Sequence, residues 1–334
     1  MAIKKTWWGN YNGEDIYRFT ISNGYLDLTV SNFGATVIAI KMPENQGNPE
    51  NMVLGYDTLE GYVNDTYYMG GIVGRFANRI SDAAFIIGQQ KYQLTANETG
   101  TGNHLHGGTI GFNKKIFFVQ GEPSQTELNS IQFHYSSPAG EEGYPGNLEV
   151  DITYRVTEKD EVVIAYKAST DQTTPVNLTS HCYFNLSGLK MTATEQDLFI
   201  NADNVLVTNA HYIPTGEIKK VKGTTFDFTT QQPINNYPGF NGYNECFVVN
   251  KNGDEMAPQA TLTDTISGRT MLVKTTLPGI MLYTGDHLGA PFIKNQGVCL
   301  EAQFFPDSPN QPHFPCTLLH PGDLYQHTTI YRFK

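Results

Sequence analysis

The sequence is short of charge. Lys, Arg, Asp and Glu make up 16% of its 334 residues, against about 25% in an average soluble chain. Basic residues are the scarcer kind, 22 against 33 acidic, for a formal net charge of −11. No basic run occurs, which argues against nucleic acid and anionic membrane surfaces as partners, since both are bound through Lys and Arg. Cysteine is scarce as well: Cys182, Cys246, Cys299 and Cys316 are scattered, with no CxxC pair. A disulfide scaffold and a zinc ribbon are thereby excluded, and buried free thiols are expected. No apolar stretch approaches the roughly 18 residues of a bilayer span. The opening residues, MAIKKTWWGNYNGEDIY, lack the apolar segment of a secretory signal, so a cytoplasmic protein is expected. GxGxxG after a strand, the phosphate-binding GxxxxGKS/T and the zinc motif HExxH are all missing, so nucleotide and phosphate cofactors have no support.

What the chain has in quantity is punctuation and aromatic surface. It carries 32 Gly, 17 Pro, 19 Tyr and 19 Phe. Gly and Pro at that density leave few of the uninterrupted stretches a helical domain needs. Many short strands joined by turns are expected instead. The clearest is a hairpin: Leu148, Val150, Ile152, Tyr154 and Val156 alternate with polar residues, TEKDE turns, and Val162, Ile164, Tyr166 and Ala168 return. Period two is the mark of a half-buried strand. Shorter alternations run over residues 26–30, 131–135 and 271–275. There is no linker, repeat or low-complexity tract. The expected architecture is all-β, a large antiparallel β-sandwich in a single domain over residues 1–334.

Three stretches have almost no charge yet are rich in His, Asn, Thr and aromatics: residues 99–113 (TGTGNHLHGGTIGFN), 172–189 (QTTPVNLTSHCYFNLSGL) and 308–322 (SPNQPHFPCTLLHPG). Surface loops gain solubility from Lys and Glu, so such stretches suggest burial or a lined cavity. Neutral hydrogen-bonding groups beside aromatic faces suit a sugar, which offers many hydroxyls and an apolar ring face. His104 and His106 stand at i and i+2, which on a strand puts them on one face. His181 lies in SHCYFNLSG, and Glu301 is the single carboxylate in the apolar run GVCLEAQFF. Burying an unpaired carboxylate costs several kcal/mol, so Glu301 is expected to be paired, functional, or turned to solvent. A catalytic metal on His104, His106, His181 and Glu301 stays open as an alternative at this level, as does a sugar-binding sandwich without catalysis.

Nine segments, in order along nearly the whole chain, resemble the aldose 1-epimerase (galactose mutarotase) family. They include SNFGATV, VLGYDTLEGY, GGIVGRFANRIS, NHLHGG, TPVNLTSHCYFNLSG, CLEAQFFPDSPNQPHFP and PGDLYQHTTIYRF. The resemblance implies a single large antiparallel β-sandwich and a cofactor-free isomerase, monomeric or homodimeric, acting on a small-molecule sugar. It makes Glu301 of CLEAQ the general base and His181 of SHCYFNL the general acid. His106 of LHGG, Asn78 and Arg79 of FANRIS, and Tyr183 of HCY would hold the sugar. Arg75 in the same segment is expected to form a structural salt bridge.

That reaction opens the sugar ring by taking the C1 hydroxyl proton and protonating the ring oxygen. Rotation about C1–C2 and closure then give the other anomer. An unperturbed Glu is ionised at pH 7 and can accept the first proton, and an anionic Glu301 is expected to favour the imidazolium of His181. The sequence departs from the family pattern twice. GYNEC places Asn244 where the family usually has a sugar-binding Asp, and PGIMLYTGD places Met281 where it commonly has Gln. Both lose a polar or charged partner for a sugar hydroxyl, so the expected specificity moves away from free galactose, towards another aldose or a reducing disaccharide such as maltose.

Overall fold

The alternation around residue 150 becomes the strand Leu148–Val156, in which every second side chain, from Leu148 onward, is buried. It pairs antiparallel with Glu161–Thr170, with Val150 opposite Ala168, Ile152 opposite Tyr166 and Tyr154 opposite Ile164. Cross-strand partners share a face, so the register collects the apolar set on one side. The computed structural model describes residues 3–44, 47–121, 129–251, 253 and 256–334.

This hairpin is the middle of a nine-stranded sheet. Its spatial order is Phe118–Gln120, Ser130–Ser137, Leu148–Val156, Glu161–Thr170, Tyr325–Phe333, Thr270–Thr275, Pro258–Thr263, Asp197–Ile200 and Gln232–Pro233. A six-stranded sheet runs Tyr183–Phe184, Val298–Gln303, Gly279–Tyr283, Asn244–Val248, Asn204–Thr208 and Pro214–Lys220. A five-stranded sheet takes Lys4–Tyr11, Glu14–Ser22, Asp27–Ser31, Val37–Glu44 and Gly47–Asn51 in sequence order. The strand pairs within these sheets are antiparallel. The one α-helix among the described residues is Leu59–Val63, capped at its start by the Thr58 hydroxyl.

The sheets close on a shared core. Phe19 and Val30 come from the five-stranded sheet, Phe133, Ile152 and Tyr331 from the nine-stranded one, and Leu282 and Leu300 from the six-stranded one. Phe19 meets Phe133 edge-on at 5.7 Å between ring centres, and Phe184 meets Tyr331 at 4.8 Å. The antiparallel β-sandwich expected from turn density and alternation is therefore what forms.

The strand Val298–Gln303 is covered on both faces, with all six of its residues buried. Val298 and Leu300 point into the common core, so alternation turns Cys299, Glu301 and Gln303 to the opposite face of the six-stranded sheet.

Candidate active site

The register of the six-stranded sheet writes two rows of side chains across that face. One is Asn244, Tyr283, Cys299 and Tyr183, each opposite the next. The other is Cys246, Met281 and Glu301, and the residues before Tyr183 bring His181 beside the far end of this row. Above the rows opens a cavity of about 240 Å³, lined by Glu301, His181, Tyr183, Asn244, Tyr283, His106, Asn78 and Arg79 and by the loop residues Thr66, Tyr67 and Tyr68.

At its floor His181 Nε2 lies 3.7 Å from Glu301 Oε1, with both side chains almost fully buried. The other imidazole nitrogen, Nδ1, faces the Cys299 thiol at 3.6 Å. His181 is held from its backbone: its N–H donates to the Gly71 carbonyl and its carbonyl accepts from Gly70 N–H, each at 3.0 Å. Burial pushes Glu301 up to about 8, partly offset by the Arg79 charge, and pulls His181 down to about 4. The ordinary values expected from sequence, an ionised Glu beside an imidazolium, are thus reversed: desolvation opposes both charges, and the pair shares one exchangeable proton.

His106 and Asn78 clamp each other. His106 N–H donates to the Asn78 carbonyl at 3.0 Å, and Asn78 N–H donates to His106 Nδ1 at 3.2 Å. With Nδ1 accepting, the His106 proton sits on Nε2 and is free to donate to a ligand. Both residues have positive φ, 50° and 65°. The next residue has to be glycine, because a Cβ on Gly107 would lie 1.7 Å from the Gly74 carbonyl oxygen. Arg79 is aimed by Glu98, which accepts from its Nε at 2.8 Å and its Nη2 at 2.6 Å. Thr101 and Asn103 donate to the other oxygen of Glu98, and the ring of Tyr212 covers the guanidinium at 5.1 Å.

The cavity thus gathers seven of the eight residues expected of it. The exception is Met281. It stands opposite Glu301 in the register but packs with Leu206, Cys246, Phe305 and Phe314, and the cavity wall does not include it. Tyr183 lines the wall with its ring, whereas its hydroxyl is spent on the Tyr67 carbonyl at 3.0 Å. His104 does not share a face with His106, because the left-handed turn at His106 breaks the alternation. Its two nitrogens are taken by the Thr95 carbonyl and the Tyr144 hydroxyl, each at 2.7 Å, so the four-residue metal set is not brought together. Two of its members, His181 and Glu301, do cluster with Cys299 within 4.8 Å, but the thiol and the carboxylate face opposite nitrogens of the imidazole.

Arg75 is structural, though not through a salt bridge: it donates to Ser137 Oγ and to the carbonyls of Ser137, Pro138, Pro145 and Gly146. The charge-poor stretch 308–322 is a partly exposed loop that lines no part of the cavity. Three of the four thiols are buried as expected, and Cys316 is exposed. A larger cleft, of about 580 Å³, lies elsewhere, but its Glu50 is neutralised by Lys190 and Arg269.

The aldose 1-epimerase family profile matches residues 17–332. The chain belongs to that family. Galactose mutarotase from Mus musculus is 38% identical over 348 residues, covering 100% of this chain and 99% of that protein. Aldose 1-epimerase from Escherichia coli is 32% identical over 329 residues, covering 93% of each. An aldose epimerase homologue from C. elegans superposes with a TM-score of 0.89 at 28% identity, covering 95% of this chain and 98% of that one. The cavity wall also holds residues the sequence did not flag: Tyr68, Tyr283 and His287. Tyr68 stands 4.5 Å from the His106 ring and 5.8 Å from that of His181. Its loop is pinned by Asp65, which accepts from Tyr67 N–H and Met69 N–H, and by Lys114, which donates to the carbonyls of Tyr62, Val63 and Asp65. The Tyr67–Tyr68 doublet ahead of GGIVGRF is the only trace of this in the sequence.

Proposed function

We propose that the protein interconverts the α and β anomers of a free aldose, with Glu301 and His181 as the proton-transfer pair. The observation that carries the reading is their placement: an imidazole and a carboxyl 3.7 Å apart, buried at the floor of an open cavity walled by aromatics, polar groups and the Arg79 guanidinium. Ring opening removes a proton from the C1 hydroxyl and delivers one to the ring oxygen, so a pair holding a single proton is the stoichiometry required. With the pair's proton moved from the carboxyl to His181 Nε2, the Glu301 carboxylate takes the hydroxyl proton and His181 gives its own to the ring oxygen. Ring closure after rotation about C1–C2 returns both protons. Arg79, fixed by Glu98, stabilises the carboxylate that forms and hydrogen-bonds sugar hydroxyls. His106 and Asn78 position the ring, and Tyr68 offers it an aromatic face. The buried free thiols suit a reducing, cytoplasmic setting.

Asn244 sets specificity in this reading. An amide there both donates and accepts where a carboxylate would only accept with charge, so the preferred sugar is one other than galactose, or a reducing disaccharide. Polarimetry of freshly dissolved galactose, glucose and maltose tests both parts. Glu301→Gln is expected to lose about 10²–10⁴-fold of the catalysed rate with the fold unchanged by circular dichroism. Sugar binding without any rate above the spontaneous one would overturn the reaction, and a strong preference for galactose would overturn the specificity.

A further inference from the structure

Glu301 has two carboxylate oxygens in very different company. Oε1 faces His181. Oε2 is buried and has no hydrogen-bond partner among the described residues. The sheet register explains the asymmetry. Within the row that crosses the face, His181 is on one side of Glu301 and Met281, its cross-strand partner, on the other. Directly opposed residues in an antiparallel pair bring their Cβ atoms within about 4.5–5.5 Å. Met281 is 3% exposed and belongs to the apolar cluster of Leu206, Cys246, Phe305 and Phe314. A thioether is at most a weak acceptor and donates nothing. The cross-strand neighbour of Glu301 away from His181 therefore offers it no hydrogen-bond donor.

We infer that Met281 is a positioning residue for the acid–base pair: it withholds a hydrogen-bond donor from Glu301, leaving His181 as the carboxyl's nearest polar neighbour, and so directs the shared proton between those two groups. This rests on the proposed mutarotase reading for its consequence in turnover, though the contact itself does not. The other ionisable groups around Glu301 do not replace the missing donor. Burial and the Glu301 charge keep Cys299 on its own strand, Cys182 and Tyr183 beside it, Cys246 and Tyr283 on the neighbouring strands and Tyr331 from the opposing sheet protonated, yet none of them is hydrogen-bonded to Oε2. Arg79 is the one cation acting on it among the described residues, and its guanidinium is already engaged by Glu98.

Gln has nearly the length of Met and brings an N–H donor, so Met281→Gln is the direct test, with Met281→Leu as the apolar control. The Glu301 carboxyl is followed by ¹³C NMR through a pH titration without substrate, Glu301→Gln supplying its assignment. Met281→Gln is expected to lower the midpoint by about one pH unit, while Met281→Leu leaves it in place. In turnover, the alkaline limb of the kcat profile should move down by the same amount in the Gln variant alone. An unchanged carboxyl midpoint in folded Met281→Gln, or an equal shift in Met281→Leu, would overturn the inference. A carboxyl shift with no catalysed mutarotation in any variant would leave the contact standing and sink the reaction instead.

Discussion

Arg75 and Arg79 stand four residues apart in one segment and carry the same side chain to opposite ends. Arg75 is 1% exposed and sends its guanidinium into a cage of four carbonyls and a hydroxyl from residues 137–146. Arg79 keeps one edge on Glu98 and presents the rest to the cavity. The same division separates His104 from His106. The first has both nitrogens satisfied inside the protein, whereas the second has one nitrogen accepting from Asn78 and the other left for a ligand. A polar side chain whose every group is satisfied by the protein is a structural element. One held from behind with a group to spare is available for chemistry.

That contrast is easiest to break at Arg75. Arg75→Met removes five hydrogen bonds and leaves buried carbonyls without donors, so a loss of about 3–5 kcal/mol is expected in urea denaturation. Arg79→Met should do the reverse: the catalysed rate falls about 10–100-fold in polarimetry, while the loss of unfolding free energy stays below that of Arg75→Met, because Glu98 keeps its Thr101 and Asn103 donors. Equal stability losses in the two variants would erase the distinction between the two arginines.

The histidines give a smaller and finer version. His104→Phe orphans the buried Tyr144 hydroxyl and the Thr95 carbonyl and is expected to cost about 2–3 kcal/mol, with KM unchanged. His106→Phe should raise KM about tenfold, the worth of one or two hydrogen bonds to the sugar.

The smallest effect is in pH dependence. Burial holds His104 near 4 in the folded protein, below the roughly 6.5 of an unfolded chain. A base depressed on folding makes the unfolded state the stronger proton binder between those values, so its contribution is intact above about pH 6.5 and lost as pH falls towards 4. His327 and His181 act in the same sense. Denaturation at a series of pH values should therefore show a shallower acid decline in His104→Phe than in the parent. An identical slope would mean His104 is not buried neutral.

Much of the site was legible in the residues. Glu301 stood out as a lone carboxylate in an apolar run, and a buried unpaired charge is costly enough to require a reason. His106 and His181 lay in stretches whose missing charge marked a lined cavity. The same signal failed over residues 308–322, since a loop with four prolines and several neutral polar side chains reaches the surface without needing Lys or Glu. Tyr68 and Tyr283 were illegible, because an aromatic on a cavity wall and one in a core look alike in sequence. His104 was misassigned to the face of His106 because the period-two rule assumes extended backbone, and His106 is left-handed.

Turn density, alternation and charge scarcity determined by themselves that this chain builds antiparallel sheets and leaves little of its surface to charge, since both follow from local backbone preference and from the free energy of burial. They also determined which residue types were available for proton transfer. Which of them meet was decided only in the tertiary structure. Strand register set Met281 rather than a donor beside Glu301, and the loop of residues 66–68, pinned by Asp65 and Lys114, supplied one wall of the cavity. Desolvation there moved the proton onto the carboxyl. Each of these depends on residues far apart in the chain, whose mutual distance no local pattern encodes.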